Sequence, residues 1–306
     1  MPTPLLTASV TVWCAAPGAA GVRASAWLSP DEARRAAAFR RADDRERFVT
    51  GRALVRAALG ERLDVAPTDV AVLLGPPHGA APGRPFVEGA PSFSIAHAGG
   101  WVLVAVVGAV TCSPGLEADA TDDRSLVLAA GNGTGAGVDV GVDVESTAQA
   151  RDHLTDLLDA VPPGERPADG WDAESFTRSW ARREAVLKAV GTGLLAPRDD
   201  LLLSPADRAA AVVHSRGAVP APDRLALRDL ELPSVPSGAR PSPSASESVT
   251  LGGQVGHPRR ASPSPSAGGN HLAAVALCSP GAPVAFSTVD LADGPTLLSR
   301  HGLGKP

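Results

Sequence analysis

Alternating and helix-periodic apolar positions divide this chain into a series of short strands and amphipathic helices. Residues 4–14 alternate as a strand, after which SPDEARRAAAFRR opens a helix with Ser29 as N-cap, Pro30 in the first turn and Glu32 at the capping-box position. Asp43, Asp44 and Glu46 mark a second helix start, and Phe48, Leu54, Val55 and Leu59 form its apolar stripe up to Gly60. Arg45, Arg47, Arg52 and Arg56 occupy its other face. Residues 70–74 and 102–107 read as strands by length and valine content, with PSFSIAHAGG between them. Residues 151–160 and 173–190 are helical by pattern, and 210–214, 224–230, 271–277 and 283–290 are strand candidates.

Two stretches break the pattern. Residues 109–136, rich in Gly, Thr, Asp and Ala, read as a loop insertion with a short strand at SLVLAA. Residues 233–269, rich in Pro, Ser and Gly, hold too few apolar side chains to offset their ordering entropy, so a disordered loop insertion is expected there. Helices mixed with separated strands predict an α+β fold.

Composition narrows the class. With 306 residues, 44% of them hydrophobic, the chain can bury a sizeable core in one large or two small domains. A net charge of -5 gives no overall basic surface for a nucleic-acid backbone, so no nucleic-acid partner is expected. Cys14, Cys112 and Cys278 lack the short spacings of a zinc site or redox pair and are expected to be reduced, buried thiols. The first residues lack a basic region before an apolar stretch, and no apolar run reaches the roughly 20 residues that span a bilayer, so a cytoplasmic protein with no membrane partner is expected. Arginine serves almost everywhere as the cation; the only lysines are Lys188 and Lys305. A compact ammonium at 188 is therefore notable.

Three short constellations carry chemistry. In GVDVGVDVES, residues 137–146, strand alternation sends Asp143 and Glu145 to one side and Val142 and Val144 to the core. Two carboxylates on one surface suit Mg²⁺, although solvated acids on an edge strand are the commoner meaning of Asp-x-Glu. The first copy of the motif has Asp139 but no second acid, and reads as an incidental duplication or strand extension. In SWARREAVLKAVGTGL, Glu184 and Lys188 lie four apart on one helix face near Trp180 and Leu187, with Gly191 and Gly193 ending the helix. Alone, that is an ion pair of a few tenths of a kcal/mol. In SFSIAH, Phe93, Ile95 and His97 share a strand face, and His97 precedes the Gly99-Gly100 turn, where a ligand can approach the backbone.

Taken together and in this order, FSIAH, GVDVE and WARREAVLK followed by GTGL resemble the signature of the Sfp-type 4′-phosphopantetheinyl transferases. LSPDEARRAAAFR, RERFVTGRALVR and GRPFVEGAPSFS extend the resemblance over most of the chain apart from 109–136 and 233–269. The resemblance implies two similar α+β halves related by a pseudo-twofold, here 1–136 and 137–306, with the site in the cleft between them. It implies transfer of the phosphopantetheine arm of coenzyme A to a serine of an apo acyl or peptidyl carrier protein, releasing adenosine 3′,5′-bisphosphate. Asp143, Glu145 and Glu184 would hold Mg²⁺. Glu184 would also take the serine proton, and Lys188 would neutralise phosphate charge. His97 and Arg84 would bind the 3′-phosphate and its neighbours, with Arg47 near the adenosine end and Arg35 as a further contact. One chain forms the cleft in that family, so a monomer is expected.

Two departures stand out. Ala96 replaces the usual Ser before the histidine, removing one hydroxyl bond to phosphate, and Arg183 stands where Lys is common. A second reading stays open: a coenzyme A or carrier-binding module of the same fold with impaired catalysis, against which the intact acids and lysine argue. An unrelated Mg²⁺ phosphohydrolase would need a water-positioning device or phosphate-cradling motif that the sequence lacks.

Overall fold

The computed structural model describes residues 4–75, 83–113, 126–128, 137–233 and 270–304. Strand β1 (Leu5–Ala15) pairs antiparallel with β5 (Trp101–Ser113), β5 pairs antiparallel with β4 (Phe93–Ala98), and the short β6 (Leu126–Leu128) adds to the end of β5. The late strand β12 (Val284–Asp293) runs parallel along the other edge of β1, so the chain returns to this first sheet after residue 284. A second, antiparallel sheet has the order β10 (Leu225–Leu230), β11 (His271–Cys278), β7 (Asp139–Ser146). Two small hairpins complete the strands, β2 (Leu73–Leu74) with β3 (Pro85–Phe86) and β8 (Leu201–Leu203) with β9 (Val212–Ser215).

The apolar pattern of β5 explains the layering. Leu103, Ala105 and Val107 meet Val140, Val142 and Val144 of β7 and Val275 and Leu277 of β11 in a core between the sheets. Val102, Val104 and Val106, on the opposite face, pack under α2 (Ala42–Leu63) and α5 (Gly294–Arg300). Both faces of β5 are covered, which is why it reads as a continuous apolar run. On the far side of the second sheet, Ala185, Val186, Leu187 and Ala189 of α4 (Ala173–Val190) pack on Ala274, Ala276 and Cys278. The fold is thus mixed, with helices outside two face-packed, mostly antiparallel sheets.

Several expected elements stand as read. Helix α1 (Pro30–Ala38) begins at Ser29 with both capping-box bonds, Glu32 N–H to Ser29 Oγ at 3.3 Å and Ser29 N–H to Glu32 Oε2 at 2.9 Å. Others differ. The helix expected at 151–160 starts earlier, as α3 (Thr147–Leu157), is kinked at His153 (φ -136°) and continues as a 3₁₀ turn to Ala160. Helix α2 passes Gly60 and ends at Leu63, with Asp64 in the left-handed region at φ 54°. Its Arg52 and Arg56, on the face opposite the apolar stripe, are buried on Glu32, at 3.1 and 2.7 Å. The strand expected at 70–74 reduces to Leu73–Leu74.

Residues 109–113, expected to open the loop, instead extend β5, because β1 offers partners for its polar end: Thr111 pairs with Thr7, and their hydroxyls lie 2.6 Å apart. Residues 114–125, 129–136 and 234–269, where the remainder of the two expected insertions falls, lie outside the described residues. All three cysteines are free; Cys14 and Cys278 are buried, and burial raises both thiols to about 12, while Cys112 is half-buried. Among the described residues no helix is long and apolar enough to cross a membrane.

Candidate active site

Helix α4 sets the geometry. Asp172 caps it, accepting from Ser175 N–H at 2.7 Å. Two adjacent arginines then fix its rotation. Arg182 grips Asp229 of β10 with Nε at 2.8 Å and Nη2 at 2.6 Å and donates to the carbonyls of Pro205 and Arg208. Arg183 is paired with the fully buried Glu165 and donates to the carbonyls of Arg198 and Leu201. Glu165 also accepts from Ser179 Oγ at 2.5 Å and Leu203 N–H at 3.0 Å. With 182 and 183 so anchored, Glu184 and Lys188 turn to β7.

Gly141 lets them arrive. A β-carbon at this position would overlap the Ala185 carbonyl oxygen and the Ala189 amide nitrogen and would lie 3.0 Å from Lys188 Cβ. At Gly137, the start of the first motif copy, a β-carbon would meet only Pro280, 3.8 Å away. The two copies are therefore not equivalent, and the second is where helix and strand backbones touch.

At that contact Lys188 Nζ donates to Asp143 Oδ1 at 2.6 Å and to the Val142 carbonyl at 3.3 Å. Asp143 is buried, so the reading of solvated edge acids does not hold for it. Burial, then the charge of Asp143, pushes Glu145 up to about 8; Glu184 adds to the rise, and a bond from Trp180 opposes it. Burial also raises Glu184 to about 7, with Lys188 opposing and Asp143 adding. Burial works against the charge of Lys188, but Asp143 and Glu184 outweigh it and the ammonium is held above its usual range.

Three acids and one ammonium thus share one partly dry region. Asp143 Oδ2 and Glu184 Oε1 are buried without hydrogen-bond partners. Hard oxygen donors, two of them unpartnered, fit a divalent cation once these carboxyls are deprotonated. The described residues hold no group of three His, Cys, Asp or Glu already arranged as a metal-ligand cluster, and Lys188 is the cation that Asp143 contacts.

The free edge of β7 faces β4, and serines join them. Val140 N–H donates to Ser92 Oγ at 3.2 Å and Val142 N–H to Ser94 Oγ at 3.1 Å. The N–H of Val144, next along this edge, favours the charged form of the Asp143 carboxylate. Ala96, two residues beyond Ser94 on β4, has no hydroxyl to continue the series.

His97 lies partly buried on β4, and burial lowers its pKa to about 4, with Arg47, Lys188 and Arg35 adding to the shift. The same cations therefore converge on His97 and make its surroundings electropositive. Arg47 is held by Nε on the Gly99 carbonyl at 3.1 Å and by Nη1 on Asp44 at 2.5 Å. Arg35 stands over the Phe48 ring, 5.5 Å from its centroid, at the edge of a cavity of about 740 Å³ that also exposes Trp27, Leu28, Val72 and Phe86.

Arg84 is placed differently. Its Nη2 donates to Asp139 at 3.1 Å and to Ser92 at 3.2 Å, and Ser92 Oγ donates to Asp139 at 2.8 Å. Asp139 and Asp143 are four strand residues, about 13 Å, apart. Asp139 of the first copy is thus a partner for Arg84, not an incidental acid.

Pattern reading missed two residues that support this region, Glu165 through Arg183 and His271 through the Gly99 turn. Glu165 sits in VPPGERPADG, which has no periodicity, and His271 opens a strand whose apolar run drew attention away from it.

No curated protein matches the sequence. Residues 139–224 match the model of the 4′-phosphopantetheinyl transferase superfamily, a segment that carries Asp143, Glu145, Glu184 and Lys188 and is similar to that superfamily over less than half of the chain.

Proposed function

We propose that this protein is an Sfp-type transferase that moves the 4′-phosphopantetheine arm of coenzyme A to a serine hydroxyl of an apo acyl or peptidyl carrier protein. The serine oxygen forms a bond to the phosphorus bearing the pantetheine arm. The bond from that phosphorus to the bridging oxygen breaks, and adenosine 3′,5′-bisphosphate leaves. Glu184 takes the serine proton. Burial raises its carboxyl to about 7 before any metal binds, and a bound cation would hold it as the carboxylate that accepts a proton.

Asp143, Glu145 and Glu184 would hold Mg²⁺, which when bound supplies charge neutralisation for the diphosphate. Lys188 faces the same region and would offset charge on the leaving phosphate. His97, Arg47 and Arg35 would take the phosphates of the adenosine end. Arg84 would reach a neighbouring phosphate only by exchanging its present partners, Asp139 and Ser92.

The observation that carries this reading is the Lys188–Asp143 pair at 2.6 Å, with its charge felt by Glu145 and Glu184, within the segment that matches the superfamily. The test mixes the protein with coenzyme A, Mg²⁺ and an apo carrier protein and looks for the mass of one phosphopantetheine arm on the carrier. Glu184→Gln abolishes transfer with the fold intact; wild-type turnover in that variant removes Glu184 from its role. Binding of coenzyme A without any transfer would establish the second reading, a binding module, which the missing hydroxyl at Ala96 favours.

A further inference from the structure

His271 is the first residue of β11 and lies opposite Ser146 at the end of the acidic strand β7. Its side chain crosses to the first sheet and covers the β4–β5 turn. A β-carbon on Gly99 would overlap His271 Nε2 and lie 3.1 Å from Cε1, and Gly99 itself has φ 50°. Nε2 is buried against this turn with no hydrogen-bond partner. The Gly99 carbonyl is the acceptor for Arg47 Nε at 3.1 Å. Burial and then Arg47 lower the basicity of His271, as they do for His97, so the charge of the one guanidinium acts on both rings. A neutral imidazole can lie there without repelling Arg47.

We propose that His271 is a positioning residue: from the second sheet it holds the Gly99 turn, and through the Gly99 carbonyl it sets the Arg47 guanidinium beside His97. The inference rests on the coenzyme A reading of this site. The His271 Nε2 makes no hydrogen bond, yet the ring occupies the space that only a glycine at 99 leaves open. Removing the ring frees the turn to move, and Arg47 loses a fixed seat. Because in the coenzyme A reading Arg47 would meet the adenosine end rather than the reacting phosphorus, the loss would fall on binding rather than on the chemical step.

The experiment measures transfer kinetics with coenzyme A varied, and coenzyme A binding by calorimetry, for the full chain and for His271→Ala, His271→Gln and Gly99→Ala, each checked by circular dichroism. In His271→Ala, KM and Kd for coenzyme A rise on the order of tenfold while kcat stays within about twofold. Gln, planar and of similar reach, recovers most of the loss, and Gly99→Ala, which displaces the ring, reproduces it. Unchanged KM and Kd in His271→Ala, or a fall confined to kcat, overturns the inference while leaving wild-type transfer, and hence the functional reading, in place. A wild-type protein that binds coenzyme A but transfers nothing sinks the transferase reading, and the Kd comparison still decides His271. A wild-type protein that binds no coenzyme A overturns both.

Discussion

The backbone of Ala185 closes over Gly141 so tightly that its carbonyl oxygen occupies the space a β-carbon would need. Strand β7 and helix α4 can approach only because residue 141 has no side chain, and that approach places Lys188 Nζ 2.6 Å from Asp143. Gly141→Ala must therefore push α4 outward. The expected result is a loss of about 1–3 kcal/mol in urea unfolding, together with loss of phosphopantetheine transfer. Gly137→Ala, with only Pro280 nearby, leaves both unchanged. Equal behaviour of the two variants would show that the doubled motif is not asymmetric in the way described.

Much of this site is legible in the sequence because its local geometry is periodic. Alternation alone puts Asp143 and Glu145 on one face of β7, and helical spacing alone puts Glu184 beside Lys188. What is not legible depends on long-range contacts, which leave no periodic trace. Arg52 and Arg56 read as a polar helix face because nothing near them in sequence announces that Glu32 will cover them. Asp139 reads as a spare acid because its partners, Arg84 and Ser92, arrive from the residues just before β3 and β4, some fifty positions earlier. Likewise, the end of β5 reads as loop because Thr111 and Cys112 are polar or small, and only pairing with β1 makes them strand.

Lys188 tests whether an ammonium is needed. Its Nζ fits between the Asp143 carboxylate and the Val142 carbonyl, a seat for a point donor rather than a planar fork. Lys188→Arg keeps the charge but cannot keep both contacts from the same Cα. The expected outcome is a fall in kcat of about tenfold or more, with a stable fold. A rate equal to wild type in steady-state assays would mean that charge alone, not its geometry, matters at 188.

The buried acids make stability pH-dependent. Glu145 and Glu184 stand at about 8 and about 7 in the folded chain against an ordinary 4.5. Between those limits the native state binds more protons than the unfolded state, so stability falls as pH rises. Without added metal, Tm should decline from pH 5 to pH 8, and Glu145→Gln should flatten that decline. Mg²⁺ needs the deprotonated carboxylates and stabilises only the folded state. The Tm gain on adding Mg²⁺ is therefore larger at pH 8 than at pH 6, as thermal melts with and without chelator would measure. A gain independent of pH would remove Glu145 and Glu184 from the metal site.

Glu165 tests whether the anchoring of α4 matters for function. The carboxylate is fully buried and meets Arg183, Ser179 and the Leu203 amide, while Arg183 is the residue immediately before Glu184. Removing one partner of a buried pair leaves the other charge uncompensated, so Glu165→Ala should cost about 3–5 kcal/mol in urea unfolding. Glu165→Gln keeps the size and the bonds to Ser179 and Leu203 but not the charge, and should cost less. If the pair serves mainly to orient the helix, the double variant Glu165→Gln/Arg183→Met, which removes both charges, recovers much of the stability but not the transfer rate, because the carbonyls of Arg198 and Leu201 no longer hold residue 183. Recovery of both together would show instead that Glu184 keeps its place without the anchor beside it.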